Sequence, residues 1–141
     1  MREIVITLLK VKCDEVTDDF LEGLTDEFGW RICGFGPAGD LLSEAAEIPM
    51  KGLEPMEAGS QHDVNRELAR VGADASLAQI EFWDQDTFGD DDLLGWIEIR
   101  RAAGSGIELH AGDWTEDLGG GAFRLGGGDG DYTVWLDVKE A

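Results

Sequence analysis

The segment Phe82-Trp83-Asp84-Gln85-Asp86-Thr87-Phe88-Gly89-Asp90-Asp91-Asp92-Leu93-Leu94-Gly95-Trp96-Ile97 leaves one strand-like pattern, crosses an acidic loop and enters another. Upstream, Leu77-Ala78-Gln79-Ile80-Glu81-Phe82-Trp83 alternates apolar and polar positions, and Leu94–Arg100 does the same downstream. Successive strand side chains point to opposite faces, so Asp84 and Asp86 leave the first strand on one side. A loop that bends back brings Asp92 toward them. Carboxylates this crowded repel one another unless a cation sits among them. Ca2+ is a hard cation that takes about 6 to 8 oxygen ligands, carboxylates prominent among them. Asp84, Asp86 and Asp92 are therefore expected to bind Ca2+. A solvated acidic turn is the plainer alternative, and the clustering of acids at a strand–loop–strand junction places it second.

Other metal and phosphate motifs fail on spacing. Counted from Asp84, the twelfth position is Gly95, where an EF-hand needs a bidentate Glu. Gly127-Gly128-Asp129-Gly130-Asp131-Tyr132 puts Tyr where a calcium β-roll repeat needs Asp, and the unit occurs once. Asp129 is expected in a turn outside the site. Gly34-Phe35-Gly36-Pro37-Ala38-Gly39 lacks the Lys-Ser or Lys-Thr of a phosphate loop.

Outward from the acidic loop, strand signals continue. Residues 2 to 13 alternate and are rich in Ile and Val, and Phe28–Cys33 forms a second strand closed by a Gly- and Pro-rich turn. In the last strand Tyr132, Val134, Leu136 and Val138 share a face. Between Asp14 and Glu27 the pattern breaks, and Phe20, Leu21 and Leu24 suit a helical turn or a packed loop. Residues 40 to 75 are the least legible. Leu41–Ile48 and Glu57–Val64 suit short strands, and Asn65–Val71 suits a helix as an alternative. Leu118-Gly119-Gly120-Gly121 and Leu125-Gly126-Gly127-Gly128 are expected to flank a hairpin carrying Phe123. Many short strands between Gly- and Asp-rich turns, with no linker, predict one all-β antiparallel sandwich domain over residues 1 to 141.

Composition restricts the partners. With 11 Lys and Arg against 31 Asp and Glu, the formal net charge is −20, which repels phosphate backbones and argues against nucleic acid. Hydrophobic residues at 43% are enough for a packed core. No apolar run approaches the roughly 18 residues of a transmembrane helix. Glu3, Lys10 and Lys12 interrupt the N-terminal apolar run, so it is taken as a strand and not a signal peptide. The expected location is cytoplasmic, or exported by a route without such a peptide. Cys13 and Cys33 are expected as half-buried thiols, with neither a disulfide framework nor zinc spacing.

Phe82-Trp83-Asp84-x-Asp86-x5-Asp92-Leu93-Leu94-Gly95 resembles the third calcium-binding loop of C2 domains. That resemblance implies a C2-like Greek-key β-sandwich of about eight strands, with metal-binding loops at one end. It implies Asp84, Asp86 and Asp92 as ligands, joined by a first loop. There Thr25-Asp26-Glu27-Phe28 matches the family pattern, with Asp26 on the ligand position and Glu27 where the family has Pro. Asp18 or Asp19 would supply the upstream ligand. The closing Gly130-Asp131-Tyr132-Thr133-Val134 resembles a terminal strand of bacterial domains of this type.

Three functions follow as expectations. The first is a calcium-dependent docking module for a protein partner, with Ca2+ also stabilising the fold, and with Phe20, Phe88 and Trp114 as apolar loop-tip contacts. The second is the family's phospholipid membrane binding. Only four Lys are present and no basic groove is evident, so composition opposes it. The third is a carbohydrate-directed enzyme or lectin using loop carboxylates, although nothing marks one acid pair over another. His62 and His110 sit in no nucleophile motif, so the chain is expected not to be an enzyme.

Overall fold

A computed structural model describes residues 2–17, 25–53, 56–85, 91–104 and 106–141. Two five-stranded sheets face one another, and every pairing is antiparallel. The strands are β1 (Ile4–Glu15), β2 (Thr25–Asp26), β3 (Phe28–Phe35), β4 (Leu41–Glu47), β5 (Met56–Glu57), β6 (Gln61–Val71), β7 (Leu77–Asp84), β8 (Asp92–Arg101), β9 (Ile107–Ala111), β10 (Thr115–Gly119), β11 (Ala122–Leu125) and β12 (Asp131–Glu140). One sheet runs β10-β11-β12-β1-β6 and the other β4-β3-β7-β8-β9, with β2 and β5 as a separate short pair. The chain changes layer after β1, β4, β6 and β9, and β1 lies between two strands that are distant in sequence. That is Greek-key connectivity. Among the described residues, no helix is long and apolar enough to cross a membrane.

The expected β-sandwich is what forms, with more strands than the eight foreseen. The unforeseen strands are β9 and the short β2–β5 pair, whereas the β10–β11 hairpin falls where one carrying Phe123 was expected. The Gly120-Gly121 turn closes the hairpin and Phe123 is buried on its second strand, whereas the second Gly run leads into a 3-10 turn at Gly127–Asp129. Asn65–Val71 is strand, not helix. Asn65 sits at φ 47, outside the right-handed helical region, and β6 pairs along β1 from Gln61 to Val71. Ladder pairing outweighs the helix-forming character of Arg66, Glu67 and Leu68.

Alternation explains which residues are inside. Ile4, Ile6 and Leu8 of β1 are buried, and then the phase changes to Val11 and Cys13. The ladders to β12 and β6 both shift between Leu8 and Lys10, leaving Leu9 as the extra residue of a bulge. A strict two-residue period would have turned Val11 and Cys13 to solvent. The core runs on through Phe28, Trp30 and Ile32 of β3, Ala78, Ile80 and Phe82 of β7, and Tyr132, Val134 and Leu136 of β12. Phe28 joins the layers, stacked on Phe82 of its own sheet and on Tyr132 of the other, both at 5.5 Å between centroids. At the far end Ile4 lies opposite Glu140, and the Ala141 N–H donates to the Glu3 carbonyl at 2.9 Å.

Candidate functional site

The loop end of the sandwich is where β1 runs out at Glu15, β3 begins at Phe28, β7 ends at Asp84, and β8 and β12 begin. Hydrogen bonds draw these ends together. The Thr17 N–H donates to Asp26 Oδ2 at 2.9 Å, and the Thr17 hydroxyl oxygen lies 2.8 Å from Asp26 Oδ1 and 2.7 Å from Asp84 Oδ2. The Tyr132 hydroxyl donates to Asp26 Oδ2 in a short contact, and the Glu27 N–H donates to Asp84 Oδ1 at 2.8 Å. Thr17, Asp26 and Asp84 are 3%, 2% and 3% exposed, so bulk water does little to screen the two carboxylates. A hydroxyl has one hydrogen and donates to one carboxylate at a time. Two buried acids from different strand ends, Asp26 of β2 and Asp84 of β7, therefore share this hydroxyl alongside their other donors.

The glycine-rich tail completes the enclosure. A Cβ on Gly127 would run into the Leu93 carbonyl oxygen, so only glycine lets the 3-10 turn press against the start of β8. One residue on, a Cβ at Gly128 would lie 3.1 Å from the Asp92 Cβ and 3.2 Å from the Thr17 methyl. The turn carrying Asp129, expected outside the site, thus packs against it.

Sequence spacing singled out Asp84 and the C2 resemblance implied Asp26, and the fold brings both to one hydroxyl. Asp92 stands opposite Asp84 in the β7–β8 register, and Glu27 reaches Asp84 through its backbone. Asp18, Asp19, Phe20, Asp86 and Phe88 lie outside the described residues. Among the described residues, no group of three or more His, Cys, Asp or Glu is placed to hold a metal ion. The donor set of carboxylate and hydroxyl oxygens fits a hard cation such as Ca2+ and lacks the soft ligands of zinc or copper. Thr17 and Tyr132 were not foreseen as site residues. Tyr132 was legible only as a core position, and nothing in sequence marks its hydroxyl as the donor to Asp26.

Cys13 is fully buried, opposite Tyr132 in the β1–β12 register. Burial, augmented by the fields of Asp26, Asp14 and Asp131, pushes its thiol from 9.0 up to about 11, while the Tyr132 hydroxyl pulls it part of the way back. Burial and the Asp26 hydrogen bond push Tyr132 well above its ordinary value. Each group is thus held neutral in the fold while the unfolded chain ionises sooner. Stability is expected to be intact below pH 9 and to fall as pH rises from 9 through 11, Cys13 contributing at most roughly 3 kcal/mol and Tyr132 acting in the same sense. Urea melts across that range should show a shallower decline for Cys13→Ala than for wild type. Equal slopes would remove Cys13 from the account.

No protein-family model matches the chain, and no curated protein matches it. A solved structure does, described as "CC2D1B coordinates ESRCT-III activity during the mitotic reformation of the nuclear envelope", from a C2-domain-containing protein. The TM-score is 0.53 at 9% identity over 99% of this chain. The fold is C2-like. The likeness covers 55% of the solved chain, and at that identity it concerns the fold alone. In this C2-like frame the acidic loop after β7 and the loop before β2 leave the same end of the sandwich. The Thr17 hydroxyl, beside both Asp26 and Asp84, marks where they meet.

Proposed function

We propose that this C2-like chain is a calcium-binding module that docks to a protein partner and is stabilised by the ion. The observation that carries the proposal is the pair of buried carboxylates, Asp26 of β2 and Asp84 at the end of β7, brought onto one hydroxyl. A divalent cation at the mouth of this cluster would balance the negative charge of two carboxylates held close together out of water. Asp92 stands across the ladder from Asp84, and sequence places Asp86, Asp18 and Asp19 in the loops that flank the cluster. A bound metal would offer a coordination position to an oxygen of the partner. The net charge of −20 favours a protein partner over an anionic bilayer, since each Ca2+ restores only two charges.

Calcium is expected to raise the melting temperature. At a concentration about 100 times the dissociation constant the gain is about 2.7 kcal/mol, or on the order of 10 °C for a chain of this size. Mg2+ should do much less, because it demands small octahedral geometry and dehydrates reluctantly. NaCl at matched ionic strength should do least. Asp86→Asn should weaken calcium affinity at least tenfold, about 1.4 kcal/mol, and leave the calcium-free melt unchanged or slightly raised. Asp74→Asn, in the Gly72–Ala75 turn beyond β6, is the control. Equal thermal responses to Ca2+, Mg2+ and Na+ would sink the metal site.

A further inference from the structure

A cleft of about 490 Å3 opens beside the acidic loop end, and Trp114, Glu15, Glu116, Arg124 and Asp131 line it. It lies on the outer face of the β10-β11-β12-β1 sheet. Leu125, Tyr132 and Cys13 turn inward, so their neighbours Arg124 and Asp131 turn out. Trp114 is 61% exposed, a large apolar surface to leave in water. Its backbone is also left-handed at φ 55, a conformation that costs a bulky residue roughly 1–2 kcal/mol. Neighbouring bonds hold it there. The Gly126 N–H donates to the Trp114 carbonyl at 2.8 Å, the Gly112 N–H to the Trp96 carbonyl at 2.8 Å, and the Trp96 N–H to the Thr115 hydroxyl at 3.1 Å. The indole is therefore presented from a fixed turn, and a ligand that stacks on it has little ordering left to supply.

The charged groups decide what stacks there. Arg124 is already forked onto Asp131, at 2.9 and 2.8 Å, and although its field also reaches Glu116, three carboxylates against one guanidinium keep the walls net negative. Anions meet two carboxylates on a chain of formal charge −20, and an apolar ligand finds one indole among polar walls. A planar cation satisfies both features, because its face covers the indole and its edge meets a carboxylate in a two-bond fork. We propose that this cleft takes an arginine side chain from a basic segment of a partner protein. The proposal names the partner chemistry for the docking function put forward above. It rests on that function only for there being a partner, and it needs no calcium.

The test is calorimetric titration of the full chain with the capped peptide Gly-Arg-Gly-Arg-Gly and its lysine counterpart, in calcium and in EDTA. The arginine peptide should bind equally in both buffers, and the lysine peptide several-fold more weakly, on the order of the stacking difference. Trp114→Ala should weaken binding about tenfold and Glu116→Gln about threefold. Glu67→Gln, the same charge change on β6, should stay within about twofold of wild type. Should Trp114→Ala fail to fold by circular dichroism, the contrast between Glu116→Gln and Glu67→Gln decides. Equal weakening by those two, or no binding by the wild type in either buffer, overturns the cleft and leaves the calcium site to its own thermal titration. Binding in calcium alone also overturns it, because docking would then belong to the metal loops.

Discussion

Phe28→Ala is expected to lower the free energy of unfolding by about 3–5 kcal/mol, the largest effect of any single truncation considered. Phe28 is 0% exposed and lies between the rings of Phe82 and Tyr132. Removing it leaves a cavity whose two broad walls are rigid rings on opposite sheets, so neither moves in to fill the space. The effect extends to the loop end. Tyr132 loses the ring that fixes its plane, and its hydroxyl is the phenolic donor to Asp26. A urea titration should show the midpoint falling with little change in slope, and Phe28→Leu should cost about half as much or less. A loss below about 1 kcal/mol for Phe28→Ala would mean that the stack is not the joint between the layers.

Thr17→Val is expected to cost about 2–4 kcal/mol although it preserves shape. Valine keeps the branched volume and the backbone N–H that Asp26 Oδ2 accepts, so the loss isolates the hydroxyl. Without that group, Asp26 Oδ1 and Asp84 Oδ2 face a methyl where each had a polar neighbour at 2.8 and 2.7 Å. Thr17→Ser keeps the donor and should recover most of the stability. Calcium should restore more stability to the valine variant than it adds to wild type, since a cation relieves the same repulsion. If the valine and serine variants melt together, the hydroxyl is not what holds the two loops.

The legible strands were those with one face in the core. β1, β7, β8 and β12 show alternation because water and core sit on opposite sides of them. β3 is marked by its Phe, Trp and Ile although both its faces are largely covered, and the bounds of all five came within a few residues. β4 falls within one residue of the expected Leu41–Ile48, although six of its seven residues are exposed and nothing sorts its two faces. β6 carries helix-forming residues and becomes a strand only because β1 offers a ladder. In the site, Asp84 was legible because carboxylate spacing around a loop is a local property, and Asp26 only through the resemblance to C2 domains. The hydroxyls that hold them are not local. Thr17 lies 67 positions from Asp84, and Tyr132 lies 106 from Asp26. No periodicity or motif spans such separations, and the pairs exist only once the two sheets have closed.

The pairing of Ile4 with Glu140 has a mechanical consequence. A chain pulled by both ends loads the β1–β12 ladder at one extremity, and the strands run antiparallel from there. Tension then opens the rungs one after another from Ile4 inward and does not shear them together, so each bond meets the load alone. The ladder unzips at low force, beginning at the end farthest from the acidic loops. Both ends of the fold also leave from one place, so tethers on either side approach it together and the loop end projects away from them. Partial tension would loosen the first rungs of β1 while the bulge at Leu9 and the aromatic joint beyond it still held, and the acidic end would stay assembled under a load that had already begun to open its base.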